Sequence, residues 1–408
     1  MSDMNGNKNG FLAARNLILS LLGLAGVGLM IGLALLSGLL SSFSADTGTA
    51  GIQEIYGLIW IFGFFALLLL PLLIIAIYQI RGKPQPAWLK FPVLKPGIMM
   101  ISFVVWAVIL AGSYFLGQQS SVFWVLVPPL KIFAIALPLV LILLYLFQKF
   151  QSSEPSRNWG LVSFSMVLTE PLTIFFEGLL IIFFLVGLGL AVDWSQALGS
   201  EGFVYLNRLM SGINNPELLG RILMPFLLQP TILLIGFVLF SLVIPVTEEI
   251  MKPLALWFLN KKDLQARDGF YYGALTGMVF ALIESILGLT GFGAEGWVSM
   301  SVVRVGTGIL HIFTSAMMGW ALTSSWRSYR LGKLGLTYLG CITIHGLWNF
   351  LAISISVNEL LPLTVNPQQD LVRILFPAIL VLLALGMALA LLGFGRKLGE
   401  EQGKLLLN

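Results

Sequence analysis

The sequence predicts an all-α fold, a polytopic transmembrane helical bundle of about ten spanning helices with both termini cytoplasmic. Three observations carry that expectation. Of 408 residues, 58% are apolar and 10% are charged, and the mean hydropathy is +0.93, a composition that excludes a soluble globular chain. Runs of roughly 20 apolar residues, the length that a hydrocarbon core about 30 Å thick requires, recur along nearly the whole chain. Lysine and arginine gather in alternate loops, as cytoplasmic segments do.

Taken in order, the apolar runs place helices at about residues 17–41, 56–80, 97–117, 127–148, 160–191, 230–259, 269–290, 300–324, 335–356 and 371–394. The first is too long for a signal-peptide core, and Ser41 to Gly51 offers no convincing cleavage site, so it reads as a retained span. The fifth and sixth exceed one straight crossing. Each holds a proline expected to bend it: Pro171, after Thr169 and Glu170, and Pro245, just ahead of a charged cluster. The orientation follows from Lys8 and Arg15, then Arg81, Lys83, Lys90 and Lys95, then Lys149 and Arg157, then Lys261, Lys262 and Arg267, then Arg327, Arg330 and Lys333, and finally Arg396, Lys397 and Lys404. The opposite loops are nearly free of basic residues apart from Arg208 and Arg221, in a segment at 192–229 whose length weakens the rule. That outer segment is expected to hold an amphipathic piece, Leu218 to Leu228, lying along the interface.

Several classes are excluded along the way. One cysteine, Cys341, permits neither an intrachain disulfide nor a cysteine metal cluster. A net charge of +4 without a dense basic block gives no nucleic-acid surface. The chain lacks a Walker loop, an HExxH motif and a Gly-x-Ser-x-Gly elbow, so nucleotide chemistry is not expected. Among 43 glycines, the pairs Gly28 with Gly32 and Gly273 with Gly277 have small-xxx-small spacing and are expected to mark close helix packing. Trp60, Trp88, Trp124, Trp159, Trp194, Trp257, Trp297 and Trp326 fall mostly near span ends, as an interfacial belt would.

Function is expected where ionisable side chains are expensive. A charge near the bilayer centre costs at least about 2.5–3.5 kcal/mol, so each needs a partner or a purpose. Helices six to nine carry Glu248, Glu249, Lys252, Glu284, Arg304, His311 and His345, with Asn349 beside them. The two histidines are the only ones in the chain. At 1.5 Å per residue, Glu248, His311 and His345 all fall roughly 15–20 Å from the inner boundary, near mid-membrane. His345 and Asn349 share a helical face, and Thr307, His311 and Ser315 form a polar stripe suited to a wet cavity. Lys252 lies within reach of either glutamate and neutralises one of them, which the spacing does not identify. Glu284, roughly 22 Å deep, is expected to pair with Arg304, which reaches inward from the outer end of its helix. Glu170, Glu177 and Lys131 are expected to snorkel or pair near the interface.

Acid, imidazole and amide groups at one depth are the parts that peptide-bond hydrolysis needs: an activated water and an oxyanion stabiliser. A glutamate would take a proton from water, and Asn349 with an imidazole would stabilise the oxyanion. Equally, Glu248, His311 and His345 would hold zinc, whose water becomes the nucleophile. The residues leave both routes open. An ion-coupled transporter or proton pathway is the competing class, and it predicts ionisable groups staggered through the membrane rather than bunched at one level. A catalytically silent member of the same fold is a third reading.

The strings Glu248-Glu249-Ile250-Met251-Lys252 and Phe280-Ala281-Leu282-Ile283-Glu284, then His311, then His345-Gly346-Leu347-Trp348-Asn349, resemble those of the PrsW intramembrane proteases, relatives of the CAAX prenyl proteases. Order, type and placement on successive helices match an EExxK, FxxxE, H, HxxxN/D pattern. The resemblance covers about residues 228–356. It implies a membrane-embedded endopeptidase acting on a membrane-associated protein, with Glu248 as the base, Glu249 or Lys252 as its electrostatic support, His311 and His345 positioning water or metal, and Asn349 as the oxyanion donor. The CAAX branch has histidine where this chain has Glu284, a departure that argues against a zinc ligand at that position. The chain accordingly divides into an N-terminal membrane region at 1–227, a protease-like core at 228–356 and a C-terminal helix with a cytoplasmic tail at 357–408. An integral, multi-pass location in the plasma membrane is expected, with the lipid bilayer and a protein substrate as partners.

Overall fold

The computed structural model describes residues 2–42, 49–118, 125–148, 154–191, 228–257, 259, 264–291, 297–328, 331–360 and 367–407. Among these the chain is helical without a strand. The helices are α1 (Ser2–Ser42), α2 (Thr49–Ile80), α3 (Pro96–Gln118), α4 (Val127–Phe147), α5 (Pro155–Phe164), α6 (Glu170–Ala191), α7 (Pro230–Val238), α8 (Ile244–Met251), α9 (Leu254–Trp257), α10 (Ala266–Leu287), α11 (Trp297–Ser328), α12 (Leu331–Leu360) and α13 (Pro367–Leu407). Ten stretches among the described residues are long and apolar enough to cross a membrane, and α5–α6 and α7–α9 each make one of them. The protein is therefore an integral, multi-pass membrane protein, as its composition requires. The segment at 192–227, with its amphipathic piece and with Arg208 and Arg221, lies outside the described residues, as do Lys149, Lys261, Lys262 and Arg330.

Each of the two long spans is interrupted by a π turn ahead of its proline. A π turn, Ser165–Thr169, runs directly into Glu170 and Pro171, and a second, Leu239–Val243, into Ile244 and Pro245. Proline has no N–H to offer the carbonyl four residues back and its ring crowds that carbonyl, so the helix widens by a residue just ahead of it. The Glu170 N–H bonds Ser165 and the Ile244 N–H bonds Leu239, five residues back in each case.

By contact the chain divides into two units: Met1–Pro171 with Glu249–Cys341 and Ile379–Asn408, and Leu172–Glu248 with Ile342–Ala378. The divisions fall inside helices: between Pro171 and Leu172 in α6, Glu248 and Glu249 in α8, Cys341 and Ile342 in α12, and Ala378 and Ile379 in α13. In the first unit α10 is central: 89% of its most apolar stretch is buried, against 6% for α3. On α3, Ile101, Val104, Val108 and Phe115 are exposed, a face suited to lipid. The start of α10 is fixed by a capping box in which the Gln265 N–H donates to Asp268 Oδ2 at 2.7 Å.

Small residues bring α10 and α11 together. A Cβ added at Gly273 would strike the Ser315 carbonyl, one at Gly277 the His311 carbonyl, and one at Gly319 the Gly269 carbonyl. Gly273 and Gly277 thus mark close packing, as their spacing predicts. Gly28 and Gly32 do not, since a Cβ at either meets nothing within 4 Å. Elsewhere the turn that follows α2 passes through Gly82, whose φ of +61° is open to glycine, while Lys83 N–H returns to Tyr78 C=O at 2.9 Å.

Candidate active site

The first unit supplies two acids with their partners, Glu249 fully buried and Glu284 partly exposed. Glu249 and Lys252 lie three apart across one helical turn and meet at 2.6 Å with both side chains fully buried. Thr314 on α11 donates to the same Glu249 oxygen at 3.1 Å, and Lys252 Nζ stands 4.7 Å over the Phe280 ring. Spacing alone left Lys252 within reach of either glutamate, and the fold gives it to Glu249. Breaking such a pair strands a buried charge, so Lys252→Ala should cost about 3–5 kcal/mol of stability, while the joint change Lys252→Met with Glu249→Leu should recover most of it. Thermal unfolding of the three proteins in one detergent measures this. Equal loss in the single and double variants would contradict it.

Glu284 on α10 is held from two directions on α11. Arg304 Nη1 reaches one oxygen at 2.7 Å, the pairing expected from their depths. His311 Nε2 reaches the other at 2.7 Å, which sequence spacing did not foresee. A carboxylate only accepts, so Nε2 carries the proton of this bond and a neutral ring presents its lone pair at Nδ1. His311 is 1% exposed and packs against Phe280, with ring centroids 4.9 Å apart.

The second unit supplies another acid and another imidazole. Glu248 and His345 are both buried, and Glu248 Oε2 lies 3.8 Å from His345 Nε2. That is too long for a hydrogen bond. Two ligands held at about 2.0–2.1 Å in a tetrahedron stand about 3.3 Å apart, so these two atoms are near the separation a shared metal imposes. One helical turn beyond His345, Asn349 donates through Nδ2 to the Phe240 carbonyl at 2.9 Å. Glu248 and His345 in the second unit and His311 in the first are each buried, and a carboxylate and imidazoles are donors of the types that catalytic zinc uses.

Other expectations are corrected. The stripe of Thr307, His311 and Ser315 is buried; its Ser315 packs on the glycine seam of α10, and the Thr307 hydroxyl returns to Val303. Trp297 belongs to the core rather than the belt, 1% exposed and donating to Ser113 Oγ at 2.7 Å, whereas Trp88 is 70% exposed. Lys131 lies over the Trp297 ring at 4.8 Å. Glu170 is buried. Trp124 and Trp194 lie outside the described residues. Sequence reasoning missed Thr314, which holds Glu249 and whose carbonyl accepts from Cys341 Sγ at 3.6 Å; its signal was a position one turn after His311.

Fold and donor chemistry together define a multi-pass membrane protein with carboxylate and imidazole side chains buried in its helices. The model of the PrsW family intramembrane metalloproteases matches residues 177–385, just over half of the chain. The chain belongs to that family, an intramembrane protease at that level. The match runs wider than the motif-bearing 228–356 at both ends. No match was found among curated proteins or among solved structures.

Proposed function

We propose that the protein is an intramembrane endopeptidase that cuts a membrane-associated protein, and that Glu248, His311 and His345 hold a single divalent metal, zinc by their donor types. The observation that carries the reading is the approach of Glu248 to His345 at 3.8 Å, a buried acid facing a buried imidazole. Contacts internal to the first unit support bringing in His311. Thr314 is bonded both to Glu249 of α8 and to Cys341 of α12. Glu248 adjoins Glu249, His345 is one turn beyond Cys341, and His311 is one turn before Thr314.

Zinc, when bound, supplies a Lewis acid and an activated water at neutral pH. This chain's residues do the rest. Glu284 accepts the hydrogen bond from His311 Nε2–H and so sets the tautomer that leaves the ring's lone pair on Nδ1, the carboxylate–histidine support that metal ligands commonly have. Arg304 neutralises Glu284. Glu249 with Lys252 holds α8 against α11, which positions Glu248. In the metal-free form of the same reading Glu248 is the base, and the two routes differ in one measurement. The protein, with both termini cytoplasmic in the plasma membrane, and its kinship to the CAAX prenyl proteases complete the proposal.

The test is cleavage of single-span substrates by the full-length protein in liposomes, before and after chelation. Activity lost with chelator and restored by zinc is the expected result. Full activity in chelator assigns the water to Glu248 directly. Arg304→Ala should lower zinc affinity by about 10-fold through Glu284 and His311, read by competition with a chromophoric chelator; unchanged affinity would remove that relay.

A further inference from the structure

We propose that Asn349 is a positioning residue: it caps the Phe240 carbonyl, which the π turn leaves without a helical donor, and so fixes the helix that carries Glu248 against the helix that carries His345. This rests on the reading that Glu248 and His345 belong to the reacting site. All the residues concerned lie in the second unit.

The carbonyl of Phe240 would ordinarily receive the Ile244 N–H. In the π turn that N–H goes instead to Leu239. The next residue that could serve is Pro245, which has no N–H. Phe240 is thus deprived of both main-chain donors. In a hydrocarbon setting, a carbonyl without a donor is costly. Asn349 Nδ2 supplies one at 2.9 Å.

Pro245 likewise denies Ser241 its usual α-helical donor. At that point the two helices are in backbone contact: a Cβ added at Gly346 would strike the Ser241 carbonyl. Gly346 and Asn349 lie three apart on α12 and grip consecutive carbonyls of the π turn. His345 adjoins Gly346, and Glu248 follows the π turn by little more than one helical turn. A shift of α12 along the π turn therefore changes the distance from His345 Nε2 to Glu248 Oε2. An amide spent on a backbone carbonyl has one N–H fewer for an oxyanion, so the assignment departs from the oxyanion role that family resemblance suggests.

The experiment uses the full-length protein, with zinc as the probe, its affinity read by competition with a chromophoric chelator, and cleavage of a single-span substrate read in parallel. The variants are N349A, N349Q, N349D, G346A and N349A combined with G346A. Each of N349A and G346A should weaken zinc by about 10- to 100-fold. The double variant should be no worse than the weaker single one, because both act on one helix contact. N349Q, which keeps the N–H donor, should restore part of the affinity. Wild-type zinc affinity in N349A beside a fall in kcat would make Asn349 an oxyanion donor and overturn the proposal, as would effects of the two substitutions that multiply. If N349A does not fold, N349D, equal in size but lacking the donor when ionised, carries the same comparison. If the wild type binds no zinc, the metal reading fails, and the cycle read in cleavage rates decides instead: non-additive losses uphold the proposal and multiplied losses overturn it.

Discussion

Glu248→Ala and His345→Ala each abolish cleavage of a single-span substrate, while Lys8→Ala does not; this is the expected outcome of assaying the three variants beside the wild type. A positioned acid or base is typically worth 10²- to 10⁴-fold in rate, and the loss here should reach at least that range because Glu248 is proposed to hold the metal or, in the metal-free route, to be the base itself. Glu248→Gln keeps the volume and removes the charge, so it should be as inactive as the alanine variant. Glu249→Gln serves as the contrast. It faces Lys252 and Thr314, and its loss should appear first as lowered stability. Turnover by Glu248→Ala equal to the wild type would sink the protease assignment for this site.

The second large effect is structural and concerns Gly273→Leu. A side chain at this position begins inside the Ser315 backbone, which cannot rotate away as a flexible side-chain tip can. Overpacking ordinarily costs about 1–3 kcal/mol and occasionally more. Here α10 and α11 must part along the seam that also runs through Gly277 and Gly319. The same two helices carry Glu284, Arg304 and His311, so the Glu284 bonds to Arg304 and His311 should be lost with the packing. Gly28→Leu, where a Cβ meets nothing within 4 Å, is the matched control. Size-exclusion profiles and thermal unfolding in one detergent should show little folded Gly273→Leu and near-normal Gly28→Leu. Equal stability of the two would mean that the seam does not hold the unit together.

Much of the fold is legible before any coordinates because each span must satisfy its own backbone hydrogen bonds in lipid, which makes apolar length a direct reading of helix number. Pro171 and Pro245 could also be flagged from sequence, since a missing N–H is a local property. That each is answered by a π turn could not, because the compensation depends on which neighbouring group reaches the exposed carbonyl. For Phe240 that group is Asn349, more than a hundred residues away. Trp297 illustrates the same boundary. Its position near a span end suggested an interfacial ring, but the Ser113 hydroxyl and Lys131 draw it into the core.

What the sequence determined by itself is the membrane class, the ten apolar spans, the family pattern and the short inventory of ionisable groups too costly to be incidental. Partner choice among those groups was decided only by tertiary structure: Lys252 with Glu249, His311 with Glu284 beside Arg304, and Glu248 near His345. The physical reason is that helical spacing ranks neighbours on one helix, whereas electrostatic pairing between helices depends on rotation and approach, and these are set here by glycines and π turns whose effect is not local to their own positions.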